Sequence, residues 1–263
     1  MKTVNELFDF SGKVIIITGG AGAIGSAAAR RFASLGANVV ISDINQEKLD
    51  ELAADIEKES AHATLGFKAD STVEAELQAL VDATIGKFGK ISGLINNVGW
   101  GAATPLWESD TDKMVKSYLL NTVGAYNLTK MCMPYLKKEL NASVVFSGSM
   151  VGVTPSPEFI EYSTAKAGLL NMVHSMAVMS GPEVRFNSLI IGSVDNGAAT
   201  LAAGYDPAML QRLSDAMVLK RRGEPEDIAN AFMFLMSGAA SWITGIDLKV
   251  DGGGMYTSKM PKK

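Results

Sequence analysis

The chain holds 263 residues, 47% of them hydrophobic and 20% charged, enough apolar material for one well-filled core of large-domain size. A formal net charge of −4 and an isoelectric point near 5.3 argue against general affinity for nucleic acid or anionic lipid, and favour a small-molecule ligand. The single cysteine, Cys132, cannot form an intrachain disulfide, and His62 and His174 lack ligand-spaced partners, so neither a disulfide scaffold nor a metal site is expected.

Met1 to Glu6 lack the apolar core of a signal peptide, and no stretch approaches the roughly 18 apolar residues of a membrane span, so a cytoplasmic location away from membranes is expected. No linker, low-complexity tract or fixed-period repeat divides the chain, so 1–263 reads as one domain. In chain order, Val14–Ile17 is predicted as a strand, Ile24–Leu35 as a helix, Asn38–Ser42 as a strand and Gln46–Lys58 as a helix. Ala63–Lys68 follows as a strand, Val73–Phe88 as a helix and Ile91–Ile95 as a strand. Asp112–Glu139 carries unbroken helical periodicity, Ser143–Phe146 is a strand, Phe159–Ser180 a long helix and Val184–Ile190 a strand. After an irregular stretch, helices are predicted near Pro207–Met217 and at Pro225–Met236, with a last strand at Ile246–Val250. The alternation implies an α/β fold, a doubly wound parallel sheet of about seven strands with helices on both faces and a ligand site beyond the strands' carboxyl ends.

Thr18 to Gly25 fall between the first strand and first helix, where small residues let the backbone approach a pyrophosphate favoured by the helix N-terminus. Gly20, Gly22 and Gly25 satisfy G-x-G-x-x-G, a weak string whose setting strengthens it. Asp43 ends the second strand at the distance where an acidic residue meets an adenosine ribose. A carboxylate there repels a 2′-phosphate, and no Lys or Arg lies in the loop or directly after Asp43 to offset it, which favours NAD over NADP.

Tyr162 and Lys166 stand at i and i+4, on one helix face. A cation beside a phenol draws its pKa down from about 10 and makes it a usable acid or base. By itself the spacing more often means a packed ring beside a solvated amine.

Together these segments resemble the short-chain dehydrogenase/reductase family, from Phe10 to Gly254. The likeness implies a Rossmann-type fold and a cofactor loop including Gly19, Gly22, Ile24 and Gly25, with Ala23 where the family usually has glycine. It places Asp70 and Ser71 at the adenine, and Asn97 and Gly99, within Asn96-Asn97-Val98-Gly99, beside the cofactor. It implies a catalytic set of Asn121, Ser149, Tyr162 and Lys166, with Ser147 as a rival serine two residues off register. Gly192, Val194 and Asn196 fall where the family anchors nicotinamide, although Ile191-Gly192 replaces Pro-Gly and Asn196 replaces threonine. Arg222 to Ala229, Thr244-Gly245 and Val250 to Gly253 match the closing motifs.

The resemblance thus implies hydride transfer between a nicotinamide and a secondary alcohol or ketone. In it Tyr162 is the acid/base, Lys166 its activator and ribose ligand, Ser149 the anchor of the substrate oxygen and Asn121 the holder of a relay water. The alternatives are an NADPH-dependent carbonyl reductase, such as a 3-oxoacyl carrier-protein reductase, and a non-catalytic nucleotide sensor. Trp100, Gly101, Met150, Val151, Pro155–Phe159 and a loop region at 193–217 are expected to shape a mostly apolar substrate pocket, although Trp100 and Met150 fit plain core positions equally well. Ile41 to Asn45, Lys220 to Pro225 and Ala240 to Trp242 are similar to bacterial hydroxysteroid dehydrogenases. The long helices around Met114–Glu139 and Phe159–Ser180 resemble those of the family's dimer interfaces, implying a homotetramer.

Overall fold

The computed structural model describes residues 1–197 and 206–257, and the statements below concern those residues. Val14–Thr18 form β1, a run of β-branched residues with every position buried. Successive side chains of a strand point to opposite faces, so Ile15 and Ile17 enter one apolar cluster while Val14 and Ile16 enter another. A strand covered on both faces has no polar side to show, which is why it reads as a continuous apolar run.

The other strands are β2 (Asn38–Asp43), β3 (Thr64–Lys68), β4 (Gly93–Asn96), β5 (Ala142–Ser149), β6 (Val184–Ile191) and β7 (Asp247–Val250). They form one seven-stranded sheet in the order β3-β2-β1-β4-β5-β6-β7, parallel at every pairing. The order reverses between β1 and β4, and the ends of those two strands open the crevice described below.

Ten helices flank the sheet among the described residues. They are α1 (Val4–Leu7), α2 (Ala23–Ser34), α3 (Gln46–Ser60), α4 (Glu74–Phe88), α5 (Thr111–Tyr118), α6 (Gly124–Leu136), α7 (Ile160–Ser180), α8 (Pro207–Ala216), α9 (Pro225–Met236) and α10 (Gly254–Thr257). Phe32 of α2, Leu49 of α3 and Phe232 of α9 pack in one cluster, and Leu80 of α4, Leu128 of α6 and Val173 of α7 in the other, so helices cover both faces. No helix among the described residues is long and apolar enough to cross a membrane.

The main departure from the sequence pattern lies in the expected helix Asp112–Glu139. The structure ends it at Leu136 and inserts a π-helical turn, Leu119–Val123, between α5 and α6. The Asn121 amide donates back to the Ser117 carbonyl at 3.0 Å, and Gly124 packs so tightly that a Cβ would lie 2.2 Å from the Ser71 carbonyl oxygen. Such turns gather at functional sites. β5 also runs past the expected Phe146 to Ser149, which carries the Ser147 and Ser149 backbones to the carboxyl end of the sheet, near Tyr162. Residues 198–205 of the expected substrate loop at 193–217 lie outside the described residues.

Candidate active site

The crevice begins at the glycine turn. Gly19 adopts φ +64°, and a Cβ on Gly25 would sit 2.1 Å from the Gly19 carbonyl oxygen, so the turn closes only with glycine at both places. Gly22 caps α2 without a side-chain hydrogen bond, leaving first-turn N–H groups uncapped by any side chain. Bare backbone and free donors at the N-terminus of a helix suit a pyrophosphate. Gly25→Ala is therefore expected to lose most dinucleotide affinity, with a fall in Tm, as read by cofactor-induced thermal shift; unchanged affinity would mean the phosphates bind elsewhere.

Asp43 turns its carboxylate onto this loop, accepting from the Ala21 N–H at 3.3 Å and from the Ile44 N–H at 2.8 Å. Asn97 joins three strands. Its N–H donates to Thr18 Oγ1 at 3.0 Å, its amide donates to the Gly19 carbonyl at 3.4 Å, and its Oδ1 accepts from Ser147 Oγ at 2.9 Å. Asp70 accepts from the N–H and hydroxyl of Thr72, and Ser71 backs onto Gly124. Gly192 lies against Asp251, where a Cβ would come within 2.7 Å of its Cα, and buried Val194 bridges to Gly223. Asn196 is exposed at the end of the described segment.

Tyr162 and Lys166 project from the first turns of α7 toward the ends of β4 and β5. Lys166 is wholly buried and donates to the Ser147 carbonyl at 2.8 Å, with its Nζ 5.7 Å from the Tyr162 ring centre. The Ser149 hydroxyl accepts from the Val151 N–H at 3.4 Å and lies beside the Tyr162 phenol. The two serines are thereby distinguished: Ser149 meets the phenol, and Ser147 serves Asn97 and Lys166. Gly99 packs between Lys166 and Asn121, since a Cβ there would lie 2.6 Å from Lys166 Nζ and 3.0 Å from Asn121 Oδ1. Asn121 itself clamps the loop after β4, accepting from the Trp100 N–H at 3.0 Å and donating to the Trp100 carbonyl at 2.9 Å. That leaves one Oδ1 lone pair for a further donor.

The electrostatics differ from the expectation that Lys166 draws the phenol's pKa down. Burial pushes Tyr162 above its ordinary value, with the Ser149 hydrogen bond pulling the other way, and burial lowers Lys166 from 10.5 to about 7. Desolvation penalises the charged form of both groups, and the ammonium faces a carbonyl instead of the phenol oxygen.

Trp100 is 67% exposed, so it is a rim residue and not a core one, while Met150 is half-buried. Together with Gly101, Leu120, Glu161 and Tyr162, Trp100 lines a cavity of about 360 Å³. A second cavity, of about 420 Å³, lies at the ends of β6 and β7; it is lined by Ser193 from the expected 193–217 loop region but by none of the expected catalytic residues. Glu161 was not singled out by its motif, because a lone charged residue beside a tyrosine gives no periodic or spacing signal.

The profile of the family described as enoyl-(acyl carrier protein) reductase matches residues 19–255. The 7alpha-hydroxysteroid dehydrogenase of Escherichia coli (strain K12) is 34% identical over 245 residues, covering 93% of this chain and 94% of that one. The chain belongs to the short-chain dehydrogenase/reductase family. Another member, the 3-oxoacyl-[acyl-carrier-protein] reductase of Thermotoga maritima, is 31% identical, covering 92% of this chain and 97% of the relative. A solved 7 alpha-hydroxysteroid dehydrogenase complexed with NADH and 7-oxo glycochenodeoxycholic acid superposes with a TM-score of 0.90 at 32% identity, covering 97% of this chain and 98% of that one. Short-chain dehydrogenases/reductases work with a nicotinamide cofactor on small molecules, and the uncapped glycine turn fits that cofactor's phosphates.

Proposed function

We propose that the protein is a single-domain, NAD-dependent dehydrogenase that interconverts a secondary alcohol and a ketone, with an apolar substrate of the hydroxysteroid or bile-acid class. The observation that carries this reading is the half-buried Tyr162 with Ser149 beside its phenol and Lys166 buried next to it. When bound, the nicotinamide supplies the hydride acceptor or donor and, oxidised, a positive charge. The glycine turn with Ile24, Asp43, Asp70, Ser71, Asn97, Gly99, Gly192, Val194 and Asn196 would hold it, with Lys166 on the ribose.

In oxidation, Ser149 donates a hydrogen bond to the substrate oxygen, and Tyr162 as phenolate takes the hydroxyl proton while the carbinol hydrogen leaves as hydride. In reduction, Tyr162 gives its proton to the ketone oxygen. Burial raises the phenol pKa, and a positive charge beside the phenol would favour its ionised form. Met150 and Trp100 border the substrate, and Asn121 keeps the Trp100 backbone in place.

Asp43 supports NAD. Its carboxylate stands over the glycine turn, and a phosphate about 4 Å away would cost on the order of 4 kcal/mol at an effective dielectric near 20. Asp43→Ala is expected to narrow the preference for NAD over NADP by about two to three orders of magnitude in kcat/KM. A wild type that prefers NADP would overturn the cofactor assignment and favour the 3-oxoacyl carrier-protein reductase reading, which the Thermotoga maritima relative keeps in view.

Exposed Val115, Tyr118, Leu119 and Tyr126 on α5 to α6, with Val178 and Met179 on α7, support a homotetramer. We place it in the cytoplasm. The experiment that tests the substrate class is NADH formation across a panel of secondary alcohols and 7α- and 3α-hydroxy bile acids. Turnover of a hydroxysteroid supports the reading, turnover of simple or sugar alcohols alone would remove the steroid, and binding of NAD without any turnover would favour a sensor.

A further inference from the structure

Glu161 precedes Tyr162 and is 5% exposed, yet its Oε1 is buried without a hydrogen-bond partner among the described residues. A buried carboxylate with no partner within the chain is costly, and a donor that reaches the Glu161 side chain would offset part of that cost. Glu161 lines the cavity of about 360 Å³, whose inner wall is Tyr162 and whose other walls include Trp100, Gly101 and Leu120. Gly101 packs so closely on Tyr162 that a Cβ there would lie 2.5 Å from the tyrosine Cβ. The cavity therefore abuts the acid/base residue itself, and nothing in the catalytic scheme above uses Glu161.

The chemistry of the walls narrows the ligand. Lys113 and Lys116 also line the cavity, and neither closes an ion pair with Glu161; Lys113 instead meets the Glu108 carbonyl and the Asp110 carboxylate. Two ammonium groups at the rim repel a third cation, so a cationic ligand is disfavoured. An acceptor-only group would face the carboxylate with like partial charge. A neutral donor on a largely hydrocarbon frame meets both constraints, and a hydroxyl is the one that an alcohol substrate supplies.

We propose that the cavity beside Tyr162 receives a second hydroxyl of the substrate, donated to Glu161, and that Glu161 makes the enzyme select diols over the matching mono-ols. This rests on the alcohol dehydrogenase reading, and is tested by binding so that it can fail separately. A hydrogen bond to a buried charged group is strong enough that its loss costs about tenfold or more in affinity.

The test compares chenodeoxycholate with its 3-deoxy counterpart, and trans-1,4-cyclohexanediol with cyclohexanol, by calorimetric titration into wild type, Glu161→Gln and Glu161→Met. Both substitutions preserve side-chain length, and Gln keeps an acceptor oxygen. The proposal expects at least one diol to bind wild type about tenfold more tightly than its mono-ol. That advantage should shrink in Glu161→Gln and vanish in Glu161→Met, with mono-ol binding unchanged. Equal effects on diol and mono-ol, or no diol advantage in wild type, overturn it. Turnover of the same compounds is read in parallel: a Glu161-dependent diol advantage without NADH formation supports the cavity assignment and counts against the dehydrogenase reading alone.

Discussion

Tyr162→Phe is expected to lower kcat by about 10² to 10⁴ while leaving NAD affinity nearly unchanged. The substitution deletes one oxygen from a ring whose Cβ side is held by Gly101, and the phenol makes no hydrogen bond that ties two elements together among the described residues, so the scaffold has little reason to move. What disappears is the group that exchanges a proton with the substrate oxygen. Because the same deletion leaves the Ser149 hydroxyl free to meet substrate, the loss should fall on kcat more than on KM. Steady-state rates combined with NAD titration of the same variant check this. A variant that keeps wild-type kcat would require a different acid/base residue.

Lys166→Met is expected to abolish turnover and yet raise stability at low pH. Burial brings Lys166 from 10.5 to about 7, so between those values the unfolded chain binds a proton that the folded chain does not. Stability attributable to this group is therefore full above pH 10.5, is lost as pH falls through that window, and reaches its minimum below pH 7. The gap corresponds to about 5 kcal/mol, an order-of-magnitude figure for a fully buried group. Met fills the same space without charge but leaves the Ser147 carbonyl without its donor, which costs about 1 to 3 kcal/mol. The net expectation is a gain of about 2 kcal/mol or more at pH 6, several degrees in Tm, shrinking as pH rises. Thermal melts from pH 6 to 10 read it out; a variant less stable than wild type at pH 6 would show that the ammonium is well accommodated. An active site that holds a destabilising charge for catalysis should behave this way.

Much of this was legible in the chain because its determinants are local. The β1 to α2 turn announces itself by β-branched residues, glycines and an alanine-rich helix in immediate succession, and the Asn96 to Gly99 and Tyr162 to Lys166 motifs are contiguous. The less legible features depend on distant partners. The π turn at Leu119–Val123 arises from Asn121 reaching Ser117 and Trp100 and from Gly124 meeting Ser71, contacts that helical periodicity does not encode. The pKa direction at Tyr162 departs from the one its spacing suggests, because i and i+4 spacing conveys proximity but not the desolvation that packing adds. Short α1, fixed by a Thr3 and Glu6 capping box, is too brief to show a period. Glu161 illustrates the same limit, since only burial separates an idle surface carboxylate from a candidate specificity group.

The proposed reaction is direct hydride transfer from a carbinol carbon at the Ser149 and Tyr162 site. It is tested by supplying NAD with a secondary alcohol from the active panel, deuterated at that carbon, and analysing the reduced cofactor by mass spectrometry. The expected products are NADH carrying the deuterium and ketone without it, with no such product from Tyr162→Phe on the same timescale. Reduced cofactor free of deuterium, or labelled cofactor formed at the wild-type rate by Tyr162→Phe, would contradict it.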